Sequence, residues 1–160
     1  MEEMKALKNS WIFVLLLLLC ACGEAPVYNK SYSFKNNSWE QDVKPVFKVN
    51  IPDTTSFYNI QITIRTTTDY AFNNLWFFIR SKSPKGQIGR EPFEIKIAHP
   101  DGSWIGETSG TIVENTVYFK HRKFPQKGDY IFTFEQGITE QSAKNILDIS
   151  YAVTKDSNQK

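Results

Sequence analysis

The sequence has few of the residues on which most enzymatic and metal-binding chemistry depends. In 160 residues it has two cysteines, Cys20 and Cys22, and two histidines, His99 and His121. Neither cysteine lies in the part of the chain with a folding pattern, so no disulfide can brace the domain, which must be stabilised by packing. Zinc sites need clustered Cys and His, and calcium loops need a regular spacing of acidic residues, neither of which occurs. We expect no metal, no cofactor and no internal disulfide.

A strong excess of one charge is also lacking. Nineteen Lys and Arg residues stand against seventeen Asp and Glu residues, a formal net charge of +2, and they are spread along the chain. Nucleic-acid-binding domains gather basic residues on one face or helix, so we expect no nucleic-acid partner. The longest basic run, residues 120–123, could contact lipid headgroups, but a solvated loop is the favoured interpretation.

No catalytic set is visible. A hydrolytic site needs a base beside a nucleophile. His99 precedes Pro100-Asp101-Gly102, which is typical of a turn, and His121 lies inside the basic run. A glycosidase needs two opposed carboxylates, and the sequence singles out no such pair. We therefore predict that the protein is not an enzyme.

The chain begins with an export signal. Lys5 and Lys8 precede an apolar run over residues 11–19, and small residues follow at once. A bilayer-spanning helix needs about 20 apolar residues, so this run is too short to remain as a transmembrane segment. We expect residues 1–21 to be a signal peptide that is removed.

The cleavage site predicts a lipid anchor. Leu19-Cys20-Ala21-Cys22-Gly23 resembles the bacterial lipobox, and Cys22 is the predicted lipidation site. Cys20 fits worse because it follows the bulky Leu19, and an ordinary secretory signal is the alternative. Several acyl chains on one cysteine anchor a protein firmly, whereas a single chain binds reversibly. Residues 22–29 then form a lipidated N-terminus and short tether that joins the domain to a membrane.

Alternation of apolar and polar residues predicts strands in the remaining chain. Residues 75–79 are apolar without a break, which suits a strand buried on both faces or one whose second face meets a partner. The other predicted strands are residues 28–34, 47–51, 60–65, 93–97, 130–134 and 147–153, with one more around Val117 and Phe119. About eight strands separated by turn residues indicate an all-β protein, an antiparallel β-sandwich of jelly-roll or immunoglobulin-like type. Residues 30–155 form this domain, residues 139–145 a helical turn, and residues 156–160 a polar tail.

Aromatic residues are abundant, at 14% of the chain, and five are candidates for contact with a partner or a glycan. They lie near predicted loops or on second strand faces, where sugars and proteins commonly meet Trp and Tyr side chains. Packing in the core or in a loop is the alternative for each. The five candidates are Trp39, Tyr70, Trp76, Trp104 and Tyr118.

Besides the lipobox, the mature chain carries an ordered series of short motifs. They are Pro52-Asp53-Thr54-Thr55 followed by Tyr58-Asn59-Ile60, Ile64-Arg65 up to Tyr70, Asn74-Leu75-Trp76, Pro100-Asp101-Gly102-Ser103-Trp104-Ile105-Gly106, and Phe124-Pro125 with Gly128-Asp129-Tyr130. With these motifs the mature chain resembles the gliding-motility lipoprotein family GldH of Bacteroidetes, and the resemblance covers nearly all of it. No single motif is specific, and their order over more than 70 residues carries the resemblance. Residues 81–91 and 137–147 depart from the pattern.

The resemblance implies a non-catalytic lipoprotein of the cell envelope that is needed for gliding and linked to type IX secretion. We expect an outer-membrane lipoprotein facing the periplasm, because only Glu24 follows Cys22 where exported members of the phylum carry an acidic cluster. A scaffold or accessory role among envelope proteins of the gliding and secretion apparatus is the leading hypothesis, and a glycan-binding module is the alternative. Asp53-Thr54-Thr55 also resembles a bacteroidete O-glycosylation acceptor, although a plain turn is favoured.

Overall fold

The computed structural model describes residues 25–157, which form antiparallel β-strands joined by short connections. Cys22 and residues 1–21 lie outside the described residues. Within the described part, the one helical element is a single 3₁₀ turn at Lys35–Asn37, so no helix there could cross a bilayer. The strands are β1 (Tyr28–Ser33), β2 (Ser38–Glu40), β3 (Val46–Ile51), β4 (Tyr58–Thr67), β5 (Asn74–Lys82), β6 (Ile88–Lys96), β7 (Glu107–Ser109), β8 (Ile112–Arg122), β9 (Gly128–Gln136), β10 (Ser142–Lys144) and β11 (Ile146–Lys155).

Two sheets form the body of the domain. One has the order β1-β11-β4-β8-β7 and the other the order β3-β9-β5-β6, while β2 and β10 pair as a separate ribbon. Every neighbouring pair is antiparallel. Eight of the strands have six residues or more, so the expected all-β architecture of about eight strands is confirmed.

The pairing of these eight strands is nested. The first pairs with the last (β1 with β11), then β3 with β9, β4 with β8, and β5 with β6. This is the pattern of one long hairpin rolled up so that alternate pairs fall in opposite sheets, which is a jelly roll. Sequence patterns left the jelly roll and the immunoglobulin-like sandwich equally open, and the strand order decides for the former.

Aromatic side chains fill the space between the sheets. Tyr151 of β11 is 2% exposed, and its ring lies 5.7 Å from that of Phe47 and 5.0 Å from that of Phe132, both in the opposite sheet. Burial of an aromatic side chain removes 150–250 Å² from water, and ring pairs add a further stabilisation. A core of this kind explains how the domain is held together without a disulfide.

Two expectations about local structure need correction or refinement. Residues 139–145 were expected to form a helical turn, and this is wrong, because Ser142–Lys144 is strand β10 and pairs with β2. The apolar run at residues 75–79 lies in an interior strand with one buried face, carrying Leu75 and Phe77, and a second face on which Trp76 is 43% exposed. The strand is therefore not buried on both faces, and contact of its second face with a partner stays a prediction.

The topology gives the sandwich two distinct ends. Strand β1 begins at the end formed by loops 52–57, 83–87 and 123–127, where β11 also finishes. We call this the entry end, because the chain enters the sandwich there. The opposite end, formed by connections 34–45, 68–73, 97–106 and 137–145, is called the far end.

Charges are divided unequally between these ends, counting the connections and the three strand residues nearest each end. The entry end has ten basic and three acidic residues among those described, and the far end has six basic and ten acidic ones. The fold thus gathers charges that are spread along the sequence. At the entry end they are Lys30, Arg80, Lys82, Lys85, Arg90, Lys120, Arg122, Lys123, Lys127 and Lys155, against Asp53, Asp129 and Asp156. At the far end they are Lys35, Lys44, Lys48, Arg65, Lys96 and Lys144, against Glu40, Asp42, Asp69, Glu94, Asp101, Glu107, Glu114, Glu135, Glu140 and Asp148.

A pair of tryptophan substitutions tests the assignment of faces. Trp39 is 0% exposed, stacks on Phe34 at 4.9 Å, and its indole N–H donates to the carbonyl oxygen of Val43 over 2.8 Å. Trp39→Ala should lower the free energy of unfolding by about 3–5 kcal/mol, the usual cost of truncating a buried aromatic. Trp76→Ala should change it by at most about 0.5 kcal/mol, as an exposed substitution does. Urea unfolding followed by circular dichroism measures both, and equal effects would contradict the assignment.

Candidate functional site: an aromatic cleft at the far end

A cleft of about 370 Å³ opens at the far end between connections 68–73 and 97–106. Its walls combine aromatic rings with polar surface in similar measure, including the polar side chains of His99 and Asn73. The lining side chains include Tyr70, Phe72, Asn73, His99, Pro100 and Trp104. Concave apolar surfaces with a few polar groups are the usual form of a binding site.

One wall of the cleft is a tight turn set by Asp101 and Gly102. The amide of Gly102 donates to the carbonyl oxygen of His99 over 2.9 Å, and the amide of His99 donates to that of Ser103 over 2.8 Å. Asp101 Oδ1 accepts hydrogen bonds from the Ser103 hydroxyl at 2.6 Å and from the Ser103 amide at 3.0 Å, and these bonds lower the pKa of Asp101 below its ordinary value. Gly102 has a φ of +86°, which favours glycine. The predicted turn after His99 is therefore confirmed.

The last residues of connection 97–106 are hydrogen-bonded to its first residues, next to the end of β6. Ile105 donates its amide proton to the carbonyl oxygen of Ile97 over 3.0 Å, and Trp104 forms an isolated bridge with Ala98. Gly106 then passes so close to β8 that a Cβ there would lie 2.2 Å from the carbonyl oxygen of Glu114. Glycine is required at this position by the close approach of two backbones. The half-buried Trp104 is thereby held in the cleft wall and against the core.

The opposite wall is built on Tyr70. Its ring is 5% exposed, and its hydroxyl donates to the carbonyl oxygen of Asn74 over 2.9 Å, so burial raises its pKa above the ordinary value. Phe72 makes an edge contact with this ring at 5.8 Å between centroids but remains 47% exposed. Tyr70 is thus a support, and Phe72 is the side chain offered to solvent.

The five aromatic candidates differ in exposure. Trp39 and Tyr70 are buried and hydrogen-bonded inside the domain, and Tyr70 also borders the cleft. Trp39 lies in the three-residue strand β2 and Tyr70 in connection 68–73, and both segments are too short for an alternation to show which way a side chain points. Trp76 and Tyr118 are exposed at 43% and 57%, and Trp104 lines the cleft. Cys22, the predicted lipidation site, lies outside the described residues.

Sequence reasoning missed two exposed apolar residues beside the cleft. Phe72 and Ile105 are 47% and 46% exposed. Seven large apolar side chains of the described part are exposed, and five of these lie at the far end: Tyr32, Val46, Phe72, Trp76 and Ile105. A lone Phe between Ala71 and Asn73 gives no periodic signal, so this grouping was not visible without the fold.

A cluster of charged side chains lies on the same strand face as Trp76. The guanidinium of Arg90 lies 3.5 Å from the centroid of the Phe78 ring and donates from Nε to Glu135 Oε2 over 3.0 Å. Lys44 and Arg80 also approach Glu135, at 3.9 Å and 3.7 Å. Arginine over an aromatic face covers that ring, which leaves Trp76 as the open aromatic of this strand face.

The two histidines form no catalytic pair in the described part of the chain. His121 Nδ1 lies 3.1 Å from Asp156 Oδ2, and its ring stacks on Phe57 at 3.7 Å between centroids. No hydroxyl is hydrogen-bonded to either histidine ring among residues 25–157. Over the same residues, no three His, Cys, Asp or Glu side chains are grouped so as to hold a metal ion.

Comparison with known proteins decides the family. The model of the GldH lipoprotein family matches residues 26–153, which covers both sheets and the cleft. The chain belongs to the GldH lipoprotein family. It is therefore a member of a family of gliding-motility lipoproteins, anchored to a membrane of the cell envelope.

Two relatives extend the match along almost the whole chain. The gliding motility lipoprotein GldH of Flavobacterium johnsoniae is 28% identical over 156 residues, covering 92% of this chain and 96% of the relative. A GldH homolog of Christiangramia forsetii is 26% identical over 164 residues, covering 97% and 100%. Among solved structures, Pseudomonas aeruginosa AlgX matches with a TM-score of 0.39 and 13% identity over 86% of this chain and 28% of its own, a likeness too distant to carry an argument.

Substitution of Gly106 tests whether the close approach shapes the cleft. Gly106→Ala should lower the free energy of unfolding by about 1–3 kcal/mol, because the added methyl group meets backbone atoms that cannot move aside. Gly89→Ala is the matched control, since its Cβ would meet the flexible Ser81 hydroxyl at 3.0 Å. Urea unfolding gives the stability, and NMR shifts of the Trp104 indole report the cleft. Equal stability of the two variants would refute the assigned role of Gly106.

Proposed function

We propose that this GldH-family lipoprotein is a non-catalytic scaffold of the gliding and secretion apparatus, which binds another envelope protein through its far end. The observation that carries the proposal is that five of the seven exposed large apolar side chains of the described residues lie at this end, with Phe72 lining the aromatic cleft. Exposed apolar patches on a folded domain mark contact surfaces. The ten acidic residues around them favour a partner with a basic surface.

The position of this surface suits a tethered scaffold. The chain enters the sandwich at the opposite end, so a lipid on Cys22 would leave the far end directed away from the membrane. We propose that Cys22 is the lipidated residue, with residues 1–21 removed, and that the protein sits in the outer membrane facing the periplasm. The absence of an acidic cluster after Cys22 supports the periplasmic orientation.

Substitution of Cys22 tests the anchor. Cys22→Ser removes the sulfur that accepts lipid, and the protein should then no longer float with membranes in a density gradient. Mass spectrometry of the wild-type protein should find an acylated Cys22 as its first residue. Flotation of the Cys22→Ser protein at the wild-type level would overturn the anchor.

Substitutions at the far end test the contact surface. In a strain lacking the gene, Phe72→Ser with Ile105→Ser should fail to restore surface spreading and the normal profile of secreted proteins. A photo-crosslinking residue at position 72 should trap an envelope protein in living cells. The matched control is Tyr118→Ser, with the crosslinking residue at position 118. Tyr118 is 57% exposed on the outer face of the sheet that contains β8. Full complementation by the double variant, with no crosslinked product, would count against the proposal.

Glycan binding is the second candidate, favoured by the half-buried Trp104 ring in the cleft beside His99 and Asn73. Sugar rings stack on aromatic faces while neighbouring polar groups bind the hydroxyls. Tryptophan fluorescence titrated with envelope polysaccharides should change in the wild type and stay constant in Trp104→Ala. The absence of any response in the wild type across a panel of such polysaccharides would eliminate this candidate.

A further inference from the structure

The entry end carries a group of cations that the fold leaves available. Besides Lys30 of β1, six more are exposed and have no acidic partner within 4.0 Å among the described residues: Lys82, Lys85, Lys120, Arg122, Lys123 and Lys127. They come from the end of β5, the end of β8 and the loops that follow these two strands. Residues more than 30 positions apart in the sequence therefore share one end of the sandwich.

The three acidic residues of this end are already engaged by other groups. Asp53 Oδ2 accepts from Lys155 over 3.0 Å, and Asp129 lies 2.8 Å from Lys48. Asp156 Oδ2 lies within hydrogen-bond distance of His121 Nδ1, at 3.1 Å. These carboxylates are thus unavailable to neutralise the six cations, and the end presents a net positive surface.

An apolar residue lies in the same surface. Ile88, at the start of β6, is 66% exposed, the most exposed large apolar side chain in the described part of the chain. Cations surrounding an exposed apolar side chain are typical of proteins that lie against a lipid surface, where the charges meet phosphates and the apolar group enters the interface.

The N-terminal chain directs this end toward the membrane. Tyr28, the first residue of β1, pairs with Val153 at the entry end. Tyr28 is the sixth residue after Cys22, and a fully extended chain of that length spans about 20 Å. The positive surface therefore cannot move far from a bilayer to which Cys22 is attached.

We propose that the entry end docks on the anionic phospholipid headgroups of the membrane that holds the lipid anchor, and so fixes the orientation of the domain. This inference rests on the lipid anchor of the proposed function. The far end, with ten acidic residues, is repelled by the same surface, so both ends of the sandwich favour one orientation. The lipid anchor and tether attach the domain to the membrane, and the charge distribution sets the orientation of the domain there.

Lysine footprinting on vesicles tests the orientation. The full-length, host-processed lipoprotein is reconstituted into vesicles of phosphatidylcholine alone or with one quarter phosphatidylglycerol, and lysines are acetylated and quantified by mass spectrometry. On anionic vesicles Lys85, Lys120, Lys123 and Lys127 should react at least about threefold more slowly than on neutral ones. Lys35 and Lys144 at the far end serve as internal controls and should be unchanged. Salt at 0.5 M should abolish the difference, since it screens charges beyond a few ångströms.

A charge variant separates docking from passive shielding by the bilayer. Replacing Lys120, Arg122 and Lys123 by Gln should restore the acetylation rate of Lys85 on anionic vesicles to its neutral-vesicle value. The matched control replaces three far-end cations, Lys35, Lys44 and Lys144, by Gln and should leave protection intact. Unfolding curves establish that both variants are folded.

The outcomes distinguish the two claims. If the wild-type protein floats with both kinds of vesicle but its entry-end lysines react equally on each, the docking inference is overturned and the anchor stands. If the far-end lysines are the protected ones, the orientation is the reverse of the one proposed. A wild-type protein that fails to float overturns the anchor, and the docking inference fails with it.

Discussion

The pairing of β1 with β11 is the constraint on which the rest of the structure depends. It joins the first strand to the last, with Tyr28 opposite Val153 and Ser33 opposite Asp148, and the remaining pairs nest inside it. Because no disulfide closes the chain, this ladder and the aromatic core beneath it hold the termini of the domain in place. Tyr151 links the two, since it lies in β11 and contacts Tyr28 at 6.4 Å as well as rings of the opposite sheet.

That pairing also determines which end of the sandwich a lipid on Cys22 would hold near the membrane. If the chain first entered the two sheets at the start of β3, a lipid at the N-terminus would draw the far end toward the bilayer. Because β1 starts at the entry end, the aromatic cleft and the exposed Phe72 stand at the opposite end. Loops joining adjacent strands of a rigid sandwich are natural places for a contact surface, because the scaffold holds them while their sequences vary.

The strands could be predicted from the sequence because a half-buried strand alternates apolar and polar residues along its length. Phe47, Val49 and Ile51 alternate with polar neighbours and are indeed buried. The order of the strands could not be predicted, because the same alternation fits any pairing that buries the apolar face. Short or irregular segments contain too few residues to show this alternation. For this reason β10 was mistaken for a helical turn, and Trp39 and Tyr70 were placed on the surface. The cleft is lined by Phe72 and Trp104 from two connections about 30 residues apart, and no local sequence pattern shows that these connections lie side by side.

The division of charge is a different kind of feature, because the jelly roll does not require it. Lys and Glu are similarly disfavoured in strands and similarly acceptable at exposed loop positions, so either sign would serve the fold at Lys85, Lys123 or Lys127. Gathering ten cations at one end adds repulsion that a mixed surface would avoid. The ion pairs present do not remove it, since Arg80 and Arg90 reach Glu135 across the sheet while the loop cations have no such partner in the described residues. An arrangement that the fold neither needs nor benefits from is better explained by something outside the fold. A negatively charged surface within reach of the N-terminal tether meets that requirement.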